Sequence, residues 1–241
     1  MSPARLAAAA LLAALVALSW AFLLAMPAHM APAGWSAHYF AAMLLMWAVM
    51  MAAMMLPSAA PMVLFHARIS GQRAPRRALS ANASFLLGYV AVWALFSAAA
   101  TTLQWTLSEA ALLSPMMQVS SKALAATFLI AAGLYQWTPL KQSCLTKCRS
   151  PLDFVMAYWR EGRWGSFVMG ARHGAFCLGC CWMLMLLLFV GGVMNFAWIL
   201  ALAAFVLVEK LAPAGHWAGR AAGIALVGWG CLELAYLSLN R

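Results

Sequence analysis

Long apolar runs alternate along this chain with short polar connections. Seven runs stand out: Leu6–Met26, Tyr39–Phe65, Ser80–Gln104, Val119–Trp137, Ser166–Val190, Met194–Val208 and Ala218–Leu239. Each reaches or approaches the roughly 20 apolar residues that cross the hydrocarbon of a bilayer. No water is present there to satisfy backbone N–H and C=O groups, so a crossing segment must be a helix or part of a closed barrel. The strict alternation of a barrel strand is absent. The pattern therefore predicts an all-α, polytopic transmembrane helical bundle of about seven spans, forming a single transmembrane domain over residues 1–241.

The first run has a rival reading as a cleaved signal peptide, since Arg5 precedes it and small residues follow around Ala31 to Gly34. Its apolar core exceeds the usual 7–15 residues of such peptides, roughly stated, which favours an uncleaved helix. Cleavage would leave six spans.

Composition narrows the class further. Apolar residues make up 66% of the chain and charged residues only 8%, with a mean hydropathy of +0.88. Soluble domains run near 45–50% and about 25%. Soluble and disordered classes are excluded, and the bilayer is the first expected partner.

The net charge of +10 would ordinarily raise nucleic acid as a partner. Here the basic residues sit in the connections. With the amino terminus placed in the cytoplasm, the inner segments hold Arg5, Arg68, Arg73, Arg76, Arg77, Lys141, Lys147, Arg149, Arg160, Arg163, Lys210 and Arg220, and the outer ones only Lys122 and Arg241. That asymmetry is the positive-inside signal. It predicts N-terminus in, C-terminus out, and no nucleic acid. Residues 138–165 form the one long connection, a basic cytoplasmic loop expected to lie at the membrane interface.

The second span carries Met43, Met46, Met50, Met51, Met54 and Met55 ahead of Pro57, Pro61, Met62 and His66. At about 100° per residue, Met43, Met46, Met50 and Met54 fall within an arc of roughly 80°. Methionine alone is a flexible core filler, but thioethers also select soft ions, Cu(I) above all. The two prolines free backbone carbonyls and bend the helix.

A second soft cluster lies in the fifth span. Met169, His173, Cys177, Cys180 and Cys181 occupy about a third of the helix circumference. Thiolate and imidazole suit zinc or copper, and added thioethers tilt the balance toward Cu(I). Arg172 is placed to lower the thiol pKa values. In the inner loop, Cys144 and Cys148 are i and i+4 on a helix, close enough to share a metal. Glu209 and Lys210 end the sixth span and read as interfacial. His29, Met30 and His38 form a sparse outer set beside Met26.

The chain contains no phosphate-binding loop, nucleophile elbow, HExxH or dinucleotide fingerprint. An ATP-driven pump and a conventional hydrolase are disfavoured, and no catalytic residue is assigned.

The run Tyr135-Gln136-Trp137-Thr138-Pro139-Leu140-Lys141, followed by Cys144-Leu145-Thr146-Lys147-Cys148-Arg149-Ser150-Pro151, resembles a bacterial family of predicted metal-binding integral membrane proteins, a domain of unknown function. Met50 to Pro61, Gly174 to Trp182, Gly191 to Asn195 and Glu209-Lys210 resemble it as well. The resemblance implies a bacterial inner-membrane location and points to Cys144, Cys148, Cys177, Cys180 and Cys181 as ligands, with His173 as companion.

The expected function is soft-metal binding, copper before zinc, for transport or delivery through helices lined with Met, Cys and His, with a metal donor or acceptor protein as partner. The alternatives are a quinone-linked membrane thiol–disulfide oxidoreductase and a structural or assembly subunit of a membrane complex.

Overall fold

The structure, a computed structural model, describes residues 3–26 and 34–239. Among the described residues it is all-helical and has no strand. The elements are α1 (Pro3–Ala25), α2 (Ala37–Arg73), a 3₁₀ turn at Pro75–Arg77, α3 (Ala78–Glu109), α4 (Lys122–Tyr135), α5 (Pro139–Arg149), α6 (Pro151–Tyr158), α7 (Gly162–Leu186), α8 (Leu188–Gly191), α9 (Phe196–Leu211) and α10 (Gly215–Leu239).

Five segments are long and apolar enough to cross a membrane: Arg5–Ala25, Ala37–Arg73, Pro75–Glu109, Gly162–Gly191 and Gly215–Leu239. A sixth arises if α4 and α5, bent by 64° at their junction, act as one broken span. The sequence pattern gives seven runs, and the difference lies in two short helices. The fourth run is cut to the 14 residues of α4 because Pro139 opens a new helix in a new direction. The sixth becomes the 16-residue α9, stopped before Pro213.

Local chemistry sets other boundaries. Ser121 caps α4 by accepting from the Leu124 N–H, and Asn195 caps α9 by accepting from the Trp198 N–H, satisfying first-turn donors that have no helical partner. Pro151 starts α6 where its missing N–H costs nothing. Gly192, at φ +95°, closes α8 in a conformation that side chains disfavour. By contrast α2 continues unbroken through Pro57 and Pro61.

The chain divides into two compact units, whose boundaries fall inside α2, α3, α5 and α7. The first comprises Met1–Met26, Leu44–Ala98 and Ser143–Cys180. Within it α3 and α7 approach backbone to backbone: a Cβ at Gly88 would strike the Phe167 carbonyl, and one at Gly170 the Phe85 carbonyl. Small residues permit such close helix contact where apolar lipid supplies no drive for association.

The second unit comprises Pro27–Met43, Ala99–Gln142 and Cys181–Arg241. Here α10 packs along α4 through Gly223 against the Gly133 carbonyl and Gly230 against the Ala126 carbonyl. The connection from α3 to α4 is a fixed turn. Leu113 and Val119 form an antiparallel bridge, the Val119 N–H donates to the Phe189 carbonyl at 2.8 Å, and Gln118 Nε2 donates to the Val190 carbonyl at 2.8 Å.

Polarity is sorted in the reverse of a water-soluble protein. Leu18, Leu87, Leu95, Ile224 and Leu232 are exposed, while His66, Asn82, Thr101, Gln104, Gln136, Lys141, His173 and Glu209 are buried. This is compatible with helices whose outer surface meets hydrocarbon.

Candidate metal centre

In the first unit the sulfur-bearing helix faces point inward. Met46, Met50 and Met54 of the predicted stripe are buried together with Met51, Met55 and Met62, and so are Met169, His173, Cys177 and Cys180 on α7, none more than 2% exposed. Leu87 and Leu95 of neighbouring α3 take the outside.

Tyr89 of α3 joins these two faces. Its hydroxyl lies 3.0 Å from Cys177 Sγ and 3.2 Å from the Met55 carbonyl oxygen. The Ser58 hydroxyl donates to that same carbonyl at 2.9 Å. One buried phenol therefore links the thiol of α7 to the methionine-rich turn of α2. The Cys180 thiol donates to the Cys177 carbonyl at 3.1 Å, one turn back.

Cys144 comes from α5 to the same place. A side-chain carbon on Gly179 would sit 2.6 Å from the Cys144 sulfur, and Cys180 is the next residue of α7. Gly179 thus makes room for a thiol from another helix. Cys148, on the next turn of α5, is half-buried, whereas Cys144 is buried.

The imidazole of His173 lies among rings, with centroids 5.3 Å from Phe154, 5.8 Å from Tyr89 and 6.2 Å from Phe85. Met169 Sδ accepts the Arg160 N–H at 3.3 Å. Arg172, expected to depress the cysteine pKa values, is instead exposed and stacks over Tyr158 with its Cζ 4.5 Å from the ring centroid. It lies one residue before His173, and so about 100° around the helix from the ligand face.

His66 is a residue that the sequence reading passed over as a ligand. It is fully buried and its Nδ1 pairs with Asn82 Oδ1 at 2.7 Å. Since the amide oxygen can only accept, Nδ1 carries the proton and Nε2 presents a lone pair, which is buried with no hydrogen-bond partner. A fixed tautomer with a bare second nitrogen is how outer-shell partners prepare metal-ligating histidines. The signal was in the spacing, because Met51, Met55, Met62 and His66 share an arc of about 60°. Tyr89 and Asn82 carried no such signal.

In the second unit Met43 and a further methionine, Met117, meet at Gln104, whose Nε2 lies 3.6 Å from Met43 Sδ and 3.0 Å from Met117 Sδ. Met117 holds φ +55°, a strained value for a side chain of this size. Cys181 and Met185 are buried.

The same unit contains a charged cluster. Lys141 Nζ lies 2.7 Å from Glu209 Oε1 and 2.9 Å from Oε2, and also donates to Gln136 Oε1. Both ionic side chains are wholly buried within the protein. Gly219 provides the space, since a Cβ there would collide with the carboxylate. His38, in the first turn of α2, is exposed, and His29 and Met30 lie outside the described residues.

Among the described residues no group of three or more His, Cys, Asp or Glu side chains is gathered in metal-holding geometry. Structural zinc sites use four such ligands as a rule, so zinc gains no support. A soft cation that accepts thioethers draws on a different donor set, the one concentrated here.

Residues 44–233 match the family described as PpoB2, copper chaperone. The match covers most of the chain, and the protein belongs to that family. No curated protein and no solved structure matches it.

Proposed function

We propose that this protein is a multi-pass protein of the bacterial inner membrane that binds Cu(I) among buried thioethers and thiols and passes it to an acceptor protein. Family membership supplies the copper. The observation that carries the reading is the Tyr89 hydroxyl set between Cys177 Sγ and the Met55 carbonyl, which ties the thiol-bearing helix to the thioether-bearing one.

In this reading Cys177 and Cys180 are the principal ligands, Cys144 is the exchanging thiol, and Met50, Met54 and Met55 line the approach with weaker donors. A thiol loses its proton when it ligates copper. The Tyr89 O–H then donates to the thiolate sulfur, a charge-assisted bond stronger than its bond to a neutral carbonyl. His66 and His173 are second-rank ligands. Weak sites along the path keep the ion from being trapped.

The distribution of Lys and Arg favours a cytoplasmic amino terminus and an outer carboxyl terminus, with α4 and α9 completing the seven crossings and residues 138–165 at the inner interface. The test is titration of purified protein with Cu(I) under reducing conditions against a chromogenic competitor. Wild type should take up copper stoichiometrically, and a Cys177→Ser/Cys180→Ser/Cys181→Ser variant should not. Equal uptake by both would defeat the assignment.

The meeting of Cys144 with α7 beside Cys180 favours a second reading, a thiol oxidoreductase that cycles through a Cys144–Cys180 disulfide, two thiols yielding two protons and two electrons to a membrane quinone. Mass mapping after alkylation separates the two. A reversible Cys144–Cys180 crosslink in protein that binds no copper would favour the redox enzyme.

A further inference from the structure

A cavity of about 450 Å³ opens in the first unit between the end of α2, the start of α3 and the start of α7. Four arginines line it, Arg73, Arg77, Arg160 and Arg163, against one acid, Glu161. Arg73 Nη1 is 3.4 Å from Glu161 Oε1, with side chains 57% and 79% exposed. So open a pair is weakly held and yields readily to a stronger anion. Four cations less one acid leave an excess of three positive charges.

The inner wall supplies donors. Ser70 and Ser166 are buried, and the Ser166 hydroxyl donates to the Gly162 carbonyl at 3.0 Å. Trp159, beneath the Arg73 guanidinium at 5.0 Å, has its indole Nε1 buried with no hydrogen-bond partner. Gly162 and Arg163, at the amino end of the 25-residue α7, line the cavity too, adding first-turn N–H groups and the positive end of the helix dipole. Guanidinium forks, a residue with a free indole N–H and a helix start line the cavity, and the carboxylate of Glu161 is the one acidic group among its lining residues.

Such a set suits an oxyanion with several acceptor oxygens and more than one charge to spread. A carboxylate offers fewer oxygens than this wall has donors. The flanks are apolar: Leu79 and Trp164, next to the cavity at the starts of α3 and α7, are 59% and 74% exposed. An apolar rim beside a cationic bowl matches a phosphate carried on acyl chains, and basic pockets between membrane helices hold such headgroups elsewhere.

We propose that this cavity binds a phosphate group, presented by an anionic phospholipid or as free phosphate. The copper reading needs none of these arginines, so the two proposals stand independently.

The full chain, purified in neutral detergent, is tested in two arms. In one, native mass spectrometry measures retention of phosphatidylglycerol relative to phosphatidylcholine. In the other, tryptophan fluorescence follows titration with inorganic phosphate. Arg77→Ala/Arg163→Ala should weaken the response of whichever arm binds by roughly tenfold. The control pair Arg68→Ala/Arg220→Ala removes equal charge from exposed positions outside the cavity and should change it by no more than about twofold. Trp159→Phe, which keeps every charge and the ring, should also weaken it.

Binding in the lipid arm alone identifies a lipid headgroup, and binding in the phosphate arm identifies the free ion. If wild type responds in neither arm, or both arginine pairs lose equally, the proposal is overturned.

Discussion

Each unit of the molecule buries a polar cluster inside apolar helices, and two such clusters, the Tyr89–cysteine group and the Lys141–Glu209 pair, are chemically opposite. In the second, Lys141 and Glu209 form a fully buried ion pair completed by Gln136. In the first, Tyr89, Cys177, Cys180 and Cys144 bring together neutral, weakly hydrogen-bonding groups, with methionine thioethers close by in the chain. Hard charges taken out of water satisfy each other or cost several kcal/mol each, in rough terms. Soft neutral sulfur is tolerated in an apolar interior at little cost. The charged cluster therefore consumes its own binding capacity, whereas the sulfur cluster keeps lone pairs for a soft cation.

That contrast is broken most severely at the ion pair. Glu209→Ala leaves a buried ammonium without its counter-charge and should lower stability by about 3–5 kcal/mol, whereas Lys141→Met/Glu209→Leu, which removes both charges, should recover most of it. Thermal unfolding in detergent measures both. A single variant no worse than the double would mean that the pair is hydrated and that the comparison is mistaken.

Cys177→Ser/Cys180→Ser tests the other side. Copper affinity should fall by more than the roughly 10–100-fold that changes outside the ligand shell produce, while the unfolding midpoint moves far less than in Glu209→Ala. A large loss of stability with copper uptake retained would reverse the roles assigned to the two clusters.

Tyr89→Phe sharpens the picture. It keeps the ring against His173 and deletes the hydroxyl between Cys177 and Met55. We expect about tenfold weaker Cu(I) binding with about 1 kcal/mol of stability lost. Competition titration reads the first and denaturant unfolding the second. Unchanged affinity would show that this hydroxyl only packs.

The smallest effect is expected at Gln104. Gln104→Leu removes the amide donor from Met43 and Met117. Copper stoichiometry at the cysteines should stay as in wild type, while the methyl resonances of Met43 and Met117 shift in NMR spectra. Loss of cysteine-bound copper in this variant would make the two methionines part of the same site.

Much of the site was legible in the chain because helical periodicity is a local property. Met46, Met50, Met54, His173, Cys177 and Cys180 could be placed on two faces from spacing alone, and those faces are buried. Tyr89 and Asn82 could not, since neither belongs to a repeat at helical spacing, and its partner is set by which helix lies opposite. The burial of Glu209 was not legible for the same reason. Its carboxylate stands near the end of α9, where solvent is the natural expectation, and only Lys141, 68 positions earlier in the chain, makes burial affordable.

By itself the sequence determined the all-helical class, the chemistry of a soft-metal protein and the faces on which sulfur lies, because apolar run length, ligand softness and helical pitch need no knowledge of neighbours. Tertiary packing decided which thiols meet. Gly179 admits Cys144 to the side of α7, since contacts between segments distant in the chain depend on backbone approach and helix direction, which no local pattern encodes.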